Sequence, residues 1–171
     1  MKKMSVAAFI LVVVSIAMTS APNALAQGKR QAYLRGLEAV PAVSSPGSGT
    51  CTLEVNEAGT EVQYTLSYQD TLGVVPQSHI HLGQKGAGGG VSVFLCSNRP
   101  NAPEGVPACP VSGEVSGTFS AANVIGPTGQ GLAAGDLEAL MLAISRRATY
   151  VNVHTDVVPG GEIRGQIRRA N

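Results

Sequence analysis

Three histidines are the residues in this sequence whose type and spacing best suit chemistry. His79 and His81 are separated by one residue, and His154 lies in a second strand-like segment. In a strand, residues i and i+2 point the same way, so the first two imidazoles share a face. Neutral imidazole favours copper and zinc, and three such ligands leave a position open for water or substrate. The pattern supports a three-histidine metal site; the alternative is that the histidines only form hydrogen bonds within a polar sheet face.

Other polar residues accompany the histidines in the same strands. Because aliphatic strand faces turn toward the core, the opposite faces should lie together on the non-core side. A hairpin closed by residues 156–161 would bring His154 close to Glu162, which is predicted to accept a hydrogen bond from a ligating histidine. Asn152 is predicted to support the site from the same layer. The polar set expected on this side is His79, His81, Asn152, His154, Glu162, Arg164 and Gln166.

Nucleophilic catalysis has little support in the sequence. Ser78 precedes His79, but adjacent strand residues point in opposite directions. The chain has no G-x-S-x-G turn and no C-x-x-C pair, so neither a serine hydrolase nor a dithiol enzyme is indicated. No catalytic residue is therefore assigned.

The three cysteines predict one disulfide and one free thiol. Cys96 and Cys109 flank a segment rich in turn residues, and a bridge between them would stabilise a loop that has little core of its own. Cys51 alternates with apolar residues and is interpreted as a small buried strand residue. Bridges from Cys51 to either of the other cysteines stay open, since spacing cannot assign connectivity.

Period-two alternation of apolar and polar residues dominates most of the chain. Residues 50–55 and 61–68 are typical of a β-hairpin joined by a turn. Glycine and proline clusters separate the remaining segments, so the predicted fold is all-β, an antiparallel Greek-key-like sandwich or barrel of about eight strands. The further strands are expected at about 31–38, 77–82, 91–96, 112–119, 148–155 and 162–168.

One short helix is predicted near residues 136–147. Asp136 can cap its first turn, and Arg146 and Arg147 suit its carboxyl end. Apolar residues at helical spacing predict a face that packs on the sheet, and the alternative is a helix that binds a partner. The apolar positions are Leu137, Leu140, Met141 and Ile144.

The amino-terminal segment has the features of a signal peptide. Lys2 and Lys3 precede an apolar run at 6–18, and an A-x-A cleavage signal ends at Ala26. The run is shorter than the approximately 20 residues that span a bilayer comfortably, although an uncleaved anchor is the alternative. The prediction is a signal peptide at 1–26 and a single β domain at 27–171.

The remaining chain carries nearly balanced charge. Loss of the two lysines leaves 10 basic and 11 acidic residues, so no strong field would attract nucleic acid or a membrane surface. The expected location is secreted, periplasmic or at the cell surface, with an unknown extracytoplasmic partner.

Several motifs resemble the CHRD (chordin-type) domain family. Residues 78–83, followed by 91–95, are similar to the first hallmark of that family. Residues 150–155 and 159–167 are similar to its closing hallmark, where several positions match in order. Residues 37–41 resemble its opening strand and turn, and the likeness spans about 31–168.

The resemblance implies an extracellular β-rich domain. The family includes repeats of animal chordin, which antagonises bone morphogenetic proteins, and many exported bacterial proteins. Growth-factor antagonism is not carried over, because this chain lacks the cysteine-rich von Willebrand-type modules of chordin. The leading interpretation is an exported binding or structural module that carries the three-histidine site.

A second resemblance concerns the copper-zinc superoxide dismutases. His79, His81 and His154 are similar to three copper ligands that those enzymes place on the outside of a Greek-key barrel. The chain shows no bridging histidine, no zinc-binding loop and no secure match for the arginine near copper. A copper-dependent redox enzyme is therefore the alternative function.

Overall fold

The computed structural model describes residues 28–170, and the predicted signal peptide lies outside them. The described chain forms antiparallel strands and one α-helix, α1, at Leu137–Ser145. Three short 3-10 turns lie at Gly36–Glu38, Ala121–Asn123 and Thr128–Gln130. The strands are β1 (Arg30–Arg35), β2 (Ser48–Val55), β3 (Glu61–Gln69), β4 (Gln77–Leu82), β5 (Val91–Ser97), β6 (Gly113–Ser120), β7 (Thr149–His154), β8 (Ile163–Gln166) and β9 (Arg168–Arg169).

The strands form one sheet that closes almost fully into a barrel or sandwich. Its order is β5-β4-β7-β8-β1-β2-β3-β6, with the two-residue β9 paired to β1. Hairpins join β1 to β2, β2 to β3, β4 to β5 and β7 to β8, whereas the connections after β3, β5 and β6 lead to strands that are not neighbours in this order. The predicted all-β antiparallel class is confirmed. The predicted last strand is divided into β8 and β9, and the first ends at Arg35, where a 3-10 turn begins.

The core follows the alternation seen in the sequence. In β3, Val62, Tyr64, Leu66 and Tyr68 are buried, and the residues between them are exposed or half-buried. The predicted apolar stripe of α1 is buried as well, so this face of the helix packs inward. The Asp136 side chain accepts a hydrogen bond from the Ala139 backbone N–H at 2.9 Å, which caps the helix as expected.

Cys96 and Cys109 form the predicted disulfide, and Cys51 is a free, buried thiol in β2. Asn98 adds a second link across the bridged segment. Its side-chain oxygen accepts from the Cys109 N–H at 3.0 Å, and its amide donates to the Cys109 carbonyl at 2.9 Å. The loop is therefore held by covalent and polar contacts where it has little core.

Within residues 28–170, no helix combines the length and apolar character that crossing a membrane requires.

Candidate metal centre

The three histidines meet because β7 pairs with β4. Gln77 stands opposite His154 in this ladder, and His79 stands opposite Asn152. His154 is thus a diagonal neighbour of His79 on the same face, a separation that long or aromatic side chains can bridge. One ring nitrogen from each histidine lies within 4.8 Å of the other two. The structure brings together the three residues that the sequence singled out.

The pairing of β4 with β5 is irregular around the histidines. The register shifts between Ser78 and His79 and again between Ile80 and His81. Such bulges re-aim side chains and recur next to functional sites. Both faces of this part of β4 are buried, unlike a strand with one wetted face.

Two backbone carbonyls fix which nitrogen of each ring carries the proton. His81 Nδ1 lies 3.0 Å from the Gly89 carbonyl oxygen, and His154 Nδ1 lies 2.9 Å from that of Pro159. A carbonyl only accepts hydrogen bonds, so each Nδ1 is the protonated nitrogen that donates. The Nε2 atom of each ring therefore carries the lone pair, and the Nε2 of His81 has no hydrogen-bond partner. Metal-ligating histidines are commonly oriented by this arrangement.

His79 is the third histidine of the cluster. Its Nδ1 lies 3.2 Å from His154 Nε2. Two nitrogens bound to one tetrahedral zinc ion at 2.0–2.1 Å would lie about 3.3 Å apart, which is close to this spacing. The Nε2 atoms of His79 and His81 are buried and have no hydrogen-bond partner. A buried polar atom without a hydrogen-bond partner lowers stability, and a metal ion bound to His81 Nε2 would give that atom a partner.

The histidines are less accessible than the sequence predicts. His79 is 4% exposed and His81 is 7% exposed, whereas His154 is half-buried. The polar side of these strands is covered because Phe94, Tyr150 and the loop at 83–90 pack over it. The rings of Phe94 and His79 are nearly perpendicular, with 4.4 Å between centroids. The non-core side predicted for these residues is therefore not exposed to solvent at His79 and His81.

Burial keeps the imidazoles neutral. Desolvation, with smaller contributions from His154 and His81, lowers the pKa of His79 to about 3. Desolvation also lowers the pKa of His81 to about 4, against the opposing effect of its hydrogen bond to Gly89. The pKa of His154 is lowered by the same cause. All three imidazoles are thus neutral at neutral pH, with one ring nitrogen free of a proton, as metal coordination requires.

Tyr150 is a site residue that the sequence reasoning missed. Its ring stacks on His81 with 4.9 Å between centroids and 6° between planes. Arg164, on β8, places its guanidinium 3.5 Å from the centroid of the Tyr150 ring. The same guanidinium donates a hydrogen bond to the Gln84 carbonyl at 3.0 Å. Alternation places Tyr150 on the same strand face as Asn152 and His154, and this signal could have identified it.

Glu162 does not support a histidine as predicted. Its carboxylate is fully buried and accepts hydrogen bonds from Ser45 Oγ, the Leu72 N–H and Thr155 Oγ1. Glu162 N donates to the Val153 carbonyl although Ile163 is the residue paired with Val153. Glu162 therefore lies just before β8, outside the regular β7–β8 pairing, and the strand alternation that the prediction used does not extend to it.

Asn152 also supports a loop rather than a ring. Its amide donates to the Gly160 carbonyl at 3.4 Å, while its Oδ1 is buried without a hydrogen-bond partner. The role predicted for Glu162 belongs instead to the carbonyls of Gly89 and Pro159. Loop carbonyls leave no residue-type signal, so sequence spacing could not reveal them.

The chain was compared with known proteins. The CHRD domain family matches residues 30–167, which cover most of the sequence. No curated protein matches it. The match includes β4, β7 and β8, and with them all three histidines. The chain belongs to the CHRD domain family.

Proposed function

We propose that this CHRD domain is an extracytoplasmic binding module that holds one copper or zinc ion through His79, His81 and His154. The observation that carries the proposal is the convergence of three neutral imidazoles, two of them oriented by Nδ1–H bonds to backbone carbonyls. Among the three rings, only His79 and His154 lie within hydrogen-bond distance of each other, and His81 Nε2 has no hydrogen-bond partner. A purely structural histidine cluster would not need this arrangement.

The donor set favours copper or zinc over other ions. The cluster within the described residues consists of histidines alone, without carboxylate or thiolate. Imidazole nitrogen suits copper and zinc, whereas magnesium and calcium prefer oxygen ligands. For a given nitrogen site copper binds more tightly than zinc, so we expect the higher affinity for copper.

Two features support an extracytoplasmic location. The Cys96–Cys109 disulfide is of a kind that persists in oxidising compartments. The family to which the chain belongs consists of extracellular-type domains, in agreement with the signal peptide predicted at 1–26.

The test is a calorimetric titration of the metal-free protein with Cu(II) and with Zn(II). Metal analysis of the protein after dialysis gives the amount of metal that stays bound. We expect one equivalent per chain, and a loss of more than about 100-fold in affinity in His81→Ala and in His154→Gln. Gln77→Ala is the matched control, because Gln77 lies on the same strand face and contacts Ser97 and Asn101 instead. Circular dichroism verifies that each variant is folded.

Two results would overturn the proposal: no binding at micromolar metal, or binding that survives both histidine substitutions. Turnover of superoxide or peroxide by the copper-loaded protein would instead favour the redox enzyme.

A further inference from the structure

A second feature, separate from the histidines, is a groove lined by basic side chains. It has a volume of about 420 Å³ and lies between β1, the loop at 83–90, the end of α1 and β9. We call it the basic groove. Four of its side chains are cationic and one is acidic: Arg35, Lys85, Arg147, Arg168 and Glu38.

This concentration of charge does not follow from the overall composition. The whole chain has a net charge of only +1, yet four of its 12 lysines and arginines line this one groove. Glu38 binds Lys85 at 3.1 Å. Within residues 28–170, Arg35, Arg147 and Arg168 have no carboxylate within ion-pair distance. Three arginines therefore line the groove without an ion-pair partner of their own.

The arginines are held by local contacts. Arg168 lies over the ring of Tyr33, 5.1 Å from its centroid, and Arg35 donates to the Leu34 carbonyl at 3.0 Å. Arg147 follows α1 in the left-handed conformation, and its carbonyl accepts from the Gln166 amide at 2.7 Å. For Arg35 and Arg168, whose guanidinium groups make these contacts, partial fixation reduces the entropy that a ligand must remove on binding.

We propose that the basic groove binds a dianionic phosphate group of a small ligand. A guanidinium presents a planar fork of donors that matches two phosphate oxygens, and a phosphate offers three acceptor oxygens and nearly two charges at neutral pH. The groove volume lies within the range typical of small-ligand sites. The phosphate is supplied either by the free inorganic ion or by a phosphate monoester.

Calorimetric titration at low ionic strength tests the site with inorganic phosphate and glucose 6-phosphate. We expect saturable binding that weakens as salt rises. Arg147→Gln and Arg168→Gln should each weaken it about tenfold, the effect of losing a hydrogen bond to a charged group. Tighter binding of glucose 6-phosphate identifies a monoester ligand, and equal affinities identify the free ion.

Arg169→Gln is the matched control. Arg169 pairs with Arg30, whereas Arg168 pairs with Gln31, so the two neighbouring arginines point to opposite faces of β9. Binding should change less than about twofold in this variant. The proposal is wrong if neither phosphate binds at millimolar concentration, or if Arg169→Gln and Arg168→Gln weaken binding equally. Unchanged thermal midpoints are expected, because these arginines are exposed.

Discussion

The imidazole of His81 and the phenol ring of Tyr150 lie parallel, 4.9 Å apart between centroids. The Tyr150 hydroxyl also accepts a hydrogen bond from the Gly89 N–H at 3.1 Å, and the Gly89 carbonyl holds His81 Nδ1. Tyr150 thus contacts both the ring and the loop that orients it. The Tyr150 ring and the Gly89 carbonyl therefore both hold the imidazole of His81 in its orientation.

This relationship predicts different effects for two substitutions of Tyr150. Tyr150→Phe keeps the stack but leaves the Gly89 N–H without its partner, so the free energy of unfolding should fall by about 1–3 kcal/mol. Tyr150→Leu removes both contacts and should also weaken copper binding by about 10–100-fold. Chemical denaturation and copper titration measure the two quantities. Equal copper affinity in Tyr150→Leu and the parent would contradict an orienting role.

The glycine loop gives a second prediction through a pair of neighbouring residues. A Cβ at Gly89 would overlap the backbone of Leu82, whereas a Cβ at Gly88 would meet no atom within 4 Å. Gly89→Ala must therefore displace the carbonyl that holds His81, and we expect weaker copper binding and lower stability. Gly88→Ala is the control and should change stability by less than about 0.5 kcal/mol. Indistinguishable copper titration curves for the two variants would show that the position of the Gly89 carbonyl does not determine copper affinity.

The buried histidines predict a dependence of stability on pH in the metal-free protein. Burial lowers the pKa of His79 to about 3 and of His81 to about 4, below the ordinary value of 6.5. Between pH 6.5 and pH 4 the unfolded chain therefore binds more protons than the native protein. Stability should fall as pH falls through this window, by about 1.4 kcal/mol per pH unit for each imidazole that titrates only when unfolded.

Urea denaturation at several pH values measures this effect. His79→Phe should flatten the slope relative to the parent, because one of the groups is removed. A parent protein whose stability is constant from pH 6.5 to pH 4 would show that the rings are protonated in the native state.

The cysteines predict a defined thiol count. Under denaturing, non-reducing conditions one free thiol per chain should react, and none should react in a Cys51→Ala variant. In the native protein Cys51 should be inert, since burial raises its pKa to about 12. Reduction of Cys96–Cys109 should lower stability by about 3 kcal/mol and loosen residues 97–108 while the β core stays folded. Three reactive thiols before reduction would refute the bridge.

The sequence predicted those features that depend on local pattern. Alternation at 50–55 and 61–68 gave the β2–β3 hairpin, and the stripe after Asp136 gave α1. It could not show that β7 lies beside β4, because pairing between distant strands has no local signature. It also could not show burial of His79, since the ring that covers it, Phe94, lies on β5, and the pairing of β4 with β5 is irregular at this point. Glu162 precedes β8, so the alternation on which its predicted role depended does not reach it.

The hydrogen bonds of Glu162 lead to a last prediction, which separates the fold from the metal site. Glu162→Gln keeps the size of the side chain, but it removes the negative charge and turns one acceptor oxygen into an NH2 group, which cannot accept from the facing donor among Ser45, Leu72 and Thr155. Loss of these charged hydrogen bonds should destabilise the protein by about 2–5 kcal/mol, whereas copper affinity should be unchanged because Glu162 contacts none of the histidines. Denaturation and copper titration of the folded variant measure both. A copper affinity reduced tenfold or more at unchanged stability would restore Glu162 to the role that the sequence suggested.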